Sequence, residues 1–198
     1  RLSQWSTVLT SESYIDRMCS NYLDKPLDQY PNDWGKLPAS PKVFLDAYEQ
    51  AEQRLVPASQ SLIKEYQSVV GAIGYTPTRP EIAYYWGVLC RCLTFPTSKL
   101  LDLAYRLVVY LGKTKTLGLN FSAAGDDAGI LHCAGDSDWS VKRSTSGFGA
   151  MFCCALVCWL SRRQHCVALS SVEAELIAMT TGAREIMYLR AIMEALLV

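Results

Sequence analysis

Apolar positions between Leu62 and Leu111 recur every three or four residues, the period of helices that each bury one face. Leu62, Tyr66, Val69, Val70 and Ile73 mark the first stripe, which ends near Gly74 and Pro77. Ile82, Trp86, Leu89 and Leu93 mark a second, opening after Arg79-Pro80, where a first-turn proline forfeits no needed N–H. A third opens at Pro96-Thr97, carries Leu100, Leu103, Ala104, Leu107, Val108 and Leu111, and is expected to stop at Gly112. Upstream, Tyr14, Ile15, Met18 and Tyr22 predict a short helix, prolines 26, 31, 38 and 41 an irregular connector, and residues 43–55 a polar helix. Beyond Gly112 the period shortens. Residues 117–121, 129–133 and 165–169 read as strands, and the apolar stretch 147–159 as a hairpin turning near Ala155. Ser170 followed by Glu173 matches a capping box, and it opens a last helix with the stripe Leu176, Met179, Ala183, Ile186, Leu189 and Met193. The pattern is α+β: a helical subdomain, then antiparallel strands, then a long helix.

Composition narrows the function classes. In 198 residues, half are hydrophobic, and 19 Lys+Arg balance 19 Asp+Glu, so any nucleic-acid contact has to be a local patch. No apolar run reaches the roughly 18–20 residues of a membrane helix and no signal peptide opens the chain, which reads as soluble and intracellular. Eight cysteines form no C-x-x-C pair, which argues against a zinc site, and most lie among apolar neighbours, as buried thiols do. His132-Cys133 and His165-Cys166 keep a residual metal-binding reading. The chain opens at Arg1 inside a structured-looking stretch and ends at Val198 within a helical pattern, so it is expected to be a piece of a longer protein.

Two acidic clusters carry candidate chemistry: Asp136-Ser137-Asp138 at a strand end and Glu173-Ala174-Glu175 in the first turns of the last helix. Aspartates at turns and glutamates at a helix N-terminus also have ordinary structural uses. The alternative is a carboxylate pair for Mg²⁺. Residues two apart on a helix point to nearly opposite sides. Glu175 flanks the stripe through Met179 and Ile186, whereas Glu173 already serves the cap, so Glu175 is the candidate ligand.

Three strings add a family resemblance: YQSVVGAIGYTPTRPEIAYYWGVLCRCLTFPT at 66–97, GDSDWSVKRSTSGF at 135–148 and VALSSVEAELIAM at 167–179. In order and separation they resemble the polymerase region of copia-type LTR retrotransposons, where reverse transcriptase runs into ribonuclease H. The resemblance covers roughly residues 62–198. It implies a thumb-like end of reverse transcriptase at 1–60, a helical connection region at 61–115 and a truncated, ribonuclease H-like domain at 116–198. It also implies a parent enzyme of RNA-templated DNA synthesis that cuts the RNA of RNA–DNA hybrids with Mg²⁺. Asp136 would be the first carboxylate and Glu175 the second, both catalytic and metal-binding, with Asp138 as a fallback metal ligand.

The departures set the expected activity. The loop from Trp139 to Gly147 is shorter than is usual in the family, the third and fourth family carboxylates lie beyond Val198, and the polymerase aspartates have no counterpart before Tyr66. Two carboxylates hold a hydrated Mg²⁺ only loosely, so this chain alone is expected neither to polymerise nor to cut. The missing strand would leave an open edge near residues 130–133. Lys142, Arg143, Arg162 and Arg163 are the candidate hybrid-binding residues, weighed against ordinary solvated loops. The remainder of the polyprotein is the expected partner. A non-catalytic remnant, or a binding or structural domain derived from such an element, is the alternative. Trp86 and Trp159 lie on apolar faces and read as core.

Overall fold

A computed structural model describes residues 5–123, 129–140 and 142–196. The chain is α+β, with six α-helices and two small antiparallel sheets among the described residues. By its internal contacts it divides into residues 10–118 and residues 1–9 with 119–198.

Residues 10–118 are helical: α1 (Glu12–Tyr22), α2 (Pro41–Glu52), α3 (Gln60–Gly74), α4 (Ala83–Cys90) and α5 (Ser98–Lys113). All six stripe positions expected for α5 are buried, five of them completely, and α5 packs against α1, α2 and α3. Ile15, Phe44, Tyr66, Val69, Val70, Ile73, Val88 and Leu89 complete the core around it. The helical core therefore takes in α1 and α2 as well as the helices after residue 61. Side-chain oxygens start two of these helices, with Ser59 Oγ accepting from Leu62 N at 3.2 Å and Thr97 Oγ1 from Leu100 N at 3.3 Å. Arg79-Pro80 opens a short 3₁₀ turn, Pro80–Ile82, before α4 begins. Gly112 is not a stop, since α5 continues through Lys113. It is a close-approach site instead, where a Cβ would lie 2.7 Å from Cys19 Sγ. Trp86 is 37% exposed, with its ring against Gly74 and its indole N–H donated to Val70 O at 3.0 Å.

The second unit holds β1 (Ser6–Thr10) paired with β2 (Gly118–Ser122), a sheet β3 (His132–Asp138), β4 (Thr145–Phe152) and β5 (Ala155–Arg163) in that order, and α6 (Ser171–Leu196). Three expectations change here. The strand expected at 129–133 runs instead from His132 to Asp138. The hairpin turns at Cys153-Cys154, both at positive φ (51° and 64°), two residues before the expected place. These two cysteines therefore sit at a turn, Cys153 half-buried and Cys154 exposed. Residues 165–169 are not a strand, because β5 uses the extended chain up to Arg163 and Gln164 onwards forms bends.

The buried stripe of α6 also differs from the expected one. Ala174, Ala178 and Gly182 face the sheet, while Leu176 and Met179 are 56% and 62% exposed and Ala183 is exposed too. Small residues bring the helix backbone close to the strands. Phe148 lies so near Gly182 that a Cβ there would be 2.7 Å from its ring. Ile186, Leu189 and Met193 are half-buried. β3 is an edge strand, so the open edge runs along His132–Asp138.

Candidate functional site

The two motif segments of this unit are joined by hydrogen bonds. Gln164 donates its backbone N–H to Ser144 O at 2.8 Å, and its side-chain amide to Ser146 Oγ at 3.0 Å and Ala174 O at 2.8 Å. The end of β5 is thereby tied both to the start of β4 and to the first turn of α6. Trp139 Nε1 donates to Ala168 O at 3.3 Å, and Ser140 N to Ser144 Oγ at 3.3 Å. The Asp138 carboxylate accepts from Thr145 N across the hairpin, which gives this fallback metal ligand a structural role. Much of GDSDWSVKRSTSGF is thus spent on holding the hairpin and the helix start together.

The capping box forms as expected at its first half: Ser170 Oγ accepts from Glu173 N at 3.1 Å. The Glu173 carboxylate accepts from Leu169 N at 2.6 Å, one residue earlier than the usual reciprocal partner. Glu175 is exposed, about 100° round the helix from Ala174 and so on the flank of the sheet-facing stripe.

Strand register places the aspartates. Phe148 faces α6 and pairs with Gly135, and directly paired residues share a face. Asp136 and Asp138, one residue out of phase, lie on the opposite face beside Gly147 and Thr145. Asp136 is exposed and its Oδ1 accepts from Ser137 N at 2.8 Å. Asp136 and Glu175 are therefore on different sides of the sheet, and no hydrogen bond links them. Among the described residues no group of three or more His, Cys, Asp or Glu could hold a metal ion.

The basic candidates divide in the same way. Arg162 pairs with Ser146 on the α6 side, and Arg163 pairs with Thr145 on the aspartate side. Lys142 and Arg143 are exposed between β3 and β4. His132, Cys133, His165 and Cys166 are exposed, and all eight cysteines are free. Only Cys19 and Cys92 are fully buried, and burial pushes their thiols up to about 11 and about 12. Gln164 escaped the sequence reading, since nothing local marks a glutamine that is buried by partners 10 and 18 residues away.

Known proteins show what the chain is similar to. The chain is 34% identical over 137 residues to the retrovirus-related Pol polyprotein from transposon TNT 1-94 of Nicotiana tabacum, covering 66% of this chain and 10% of that protein. It is 35% identical over 127 residues to the uncharacterized mitochondrial protein AtMg00810 of Arabidopsis thaliana, covering 62% of this chain and 52% of that one. It is 36% identical over 130 residues to the secreted RxLR effector protein 161 of Plasmopara viticola, covering 63% and 90%. The chain is related to retrovirus-related Pol polyproteins of copia-type transposons. It spans about half the Arabidopsis protein and a tenth of the tobacco polyprotein. No family model and no solved structure matches the chain. Among its described residues, no helix is long and apolar enough to cross a membrane.

Proposed function

We propose that this chain is a fragment of a retrotransposon reverse transcriptase/ribonuclease H polyprotein, with residues 1–115 from the end of the reverse transcriptase and its connection, and 116–198 from the front of a ribonuclease H-like domain. The parent would act in RNA-templated DNA synthesis and in Mg²⁺-dependent cleavage of RNA in RNA–DNA hybrids. The observation that carries this is the β3-β4-β5-α6 sequence: an antiparallel meander followed by a helix across it, with Asp136 on the first strand and Glu175 early on the helix. Relatives named as Pol polyproteins support the same origin.

The donor set in this chain does not fit the two-ion site of the parent. Two carboxylates on different faces of a sheet supply too few oxygens for an ion that demands near-octahedral coordination. No catalytic step is assigned to this chain alone. For the phosphates of a hybrid, its own residues would offer Arg162 on the α6 side of the sheet, Arg163 on the Asp136 side, and Lys142 and Arg143 between β3 and β4. Incubation of a labelled RNA–DNA hybrid with Mg²⁺ or Mn²⁺ is expected to give salt-sensitive binding without cleavage. Asp136-dependent cleavage would overturn the inactivity.

A second reading has an observation of its own. The Plasmopara viticola relative is matched over 90% of its length and is named as a secreted effector rather than a polyprotein. A segment of this kind therefore exists as a protein by itself. On this reading the chain is a non-catalytic derivative that binds or scaffolds, and it is favoured if the hybrid fails to bind at low salt.

A further inference from the structure

α6 carries two apolar faces. Ala174, Ala178 and Gly182 fill the one against the sheet. Val172, Leu176, Met179 and Met187 are 62%, 56%, 62% and 71% exposed, and with the exposed Ala183 among them they follow one another in steps of four, three, four and four residues. At about 100° per residue these five fall within about 80° of one another, on a side turned about 140° from the sheet-facing residues. The stripe runs for about 22 Å along the helix. Single exposed apolar side chains are ordinary, whereas a continuous stripe marks a surface that another molecule covers.

Charges beside the stripe say what that molecule is. Glu173 and Glu175 stand in the first turns, and no basic residue occurs from Ser171 to Ala183. Arg184 and Arg190 follow in the second half, where Arg190 is held by Glu194 at 2.8 Å and Glu185 is half-buried at about the angle of Ala178, toward the sheet. Glu173 precedes Met179 by six residues, Arg184 follows it by five, and the two lie within about 20° of each other on one flank of the stripe. Two such helices laid antiparallel about a two-fold axis at Met179 bring like flanks together. Each Glu173 then meets Arg184 of the other copy, and each Val172 comes beside the other copy's Met187. Leu169 N occupies one oxygen of Glu173, and a carboxylate has capacity for a second donor. A parallel pair would instead crowd four glutamates side by side, a repulsive arrangement.

We propose that this face of α6 is a self-association surface, occupied by the same face of a second copy of the chain in the antiparallel arrangement. With on the order of 100 Å² from each of four large side chains, plus the polar flanks, the pair buries about 1,000–1,200 Å² in all, the low end for a specific interface. The dimer is accordingly weak, with a dissociation constant on the order of 50 μM, and the chain is monomeric at the low micromolar concentrations of exchange and unfolding measurements. The association rests on α6 alone and is read without nucleic acid, so its failure is distinct from failure of the hybrid reading.

Sedimentation velocity of the full chain from about 1 to 500 μM, spanning the expected constant, tests it under reducing conditions that keep the exposed thiols from cross-linking. Monomer should give way to dimer across that range. The double variant Leu176→Gln, Met179→Gln should raise the dissociation constant at least about tenfold. Arg184→Glu should raise it about threefold or more at low salt, and by less at about 0.5 M salt, where the charges are screened. All three side chains are exposed, so the variants keep the fold, which circular dichroism verifies. A chain that stays monomeric throughout, or a dimer that the double variant leaves intact and that therefore forms through another surface such as the β3 edge, overturns the proposal. A dimer indifferent to Arg184→Glu overturns the antiparallel pairing.

Discussion

Arg79 is the largest fully buried side chain of the helical unit, and each nitrogen of its guanidinium donates a hydrogen bond. Nε donates to Glu81 Oε1 at 2.6 Å, one terminal nitrogen to Thr114 O at 3.1 Å and the other to Thr114 Oγ1 at 2.6 Å, above the Tyr110 ring at 5.5 Å. It therefore fastens the α3–α4 connection to the residue that caps α5. In Arg79→Met, Glu81 rehydrates, since its side chain is 38% exposed, and Thr114 Oγ1 still donates to Tyr110 O at 2.6 Å. The Thr114 carbonyl loses a donor, and the charge-assisted bonds to Glu81 and Oγ1 go as well. Together these amount to about 3 kcal/mol, the low end of the cost of breaking a buried pair. For a unit of this size that lowers the melting temperature by about 10–15 °C. Lys115→Met is the control: its ion pairs to Asp16 at 2.9 Å and Glu12 at 3.4 Å are exposed, and exposed pairs are worth less than about 1 kcal/mol. Thermal and urea unfolding followed at 222 nm measure both. If Arg79→Met costs no more than Lys115→Met, the reasoning about the buried fork is wrong.

Three further outcomes are expected. Replacing Cys153-Cys154 by Asn-Gly should raise stability by about 1–2 kcal/mol, because both positions hold positive φ that suits those residues and strains cysteine; a lower urea midpoint would refute this. Gly182→Leu should destabilise the second unit by roughly 1–3 kcal/mol through overpacking against Phe148, visible as faster amide exchange along α6, whereas Ala183→Leu on the exposed side should leave exchange unchanged. The thiols of Cys19, Cys90 and Cys92 are raised by burial from about 9 to about 11, 11 and 12. Because the folded values exceed the unfolded one, their contribution is fully present below pH 9 and is lost as pH rises towards 11–12, so the helical unit should unfold at lower urea across that window and not below it.

How far the sequence could be read depended on how local the cause was. The α5 stripe, the proline entry at Arg79-Pro80 and the Ser170 cap were legible because each is set by neighbours within a turn or two. The orientation of α6 was not. Periodicity weighted by hydrophobicity picked Leu176 and Met179, yet Ala174, Ala178 and Gly182 face the sheet because their small size permits close approach. The hairpin turn at Cys153-Cys154 carries no glycine or asparagine to announce it. The partners of Arg79 and Gln164 are 35 and 18 residues away, beyond any local signal. For the candidate site, the motif residues were found at a strand end and a helix start as expected, while their placement on opposite faces needed the register.

The central claim is that residues 116–198 are the front of a ribonuclease H-like domain that contributes Asp136 to a site completed elsewhere in a polyprotein, with Glu175 on the other side of the sheet. A chimera tests it directly: the matching segment of the TNT 1-94 Pol polyprotein replaced by this chain, assayed for Mg²⁺-dependent cleavage of a labelled RNA–DNA hybrid beside the isolated chain. The account predicts cleavage by the chimera, none by the isolated chain, and a loss of at least about a thousandfold in the Asp136→Asn chimera, the scale expected for removing a ligand of a catalytic metal. A folded chimera that fails to cut, or one that cuts equally well without Asp136, contradicts it.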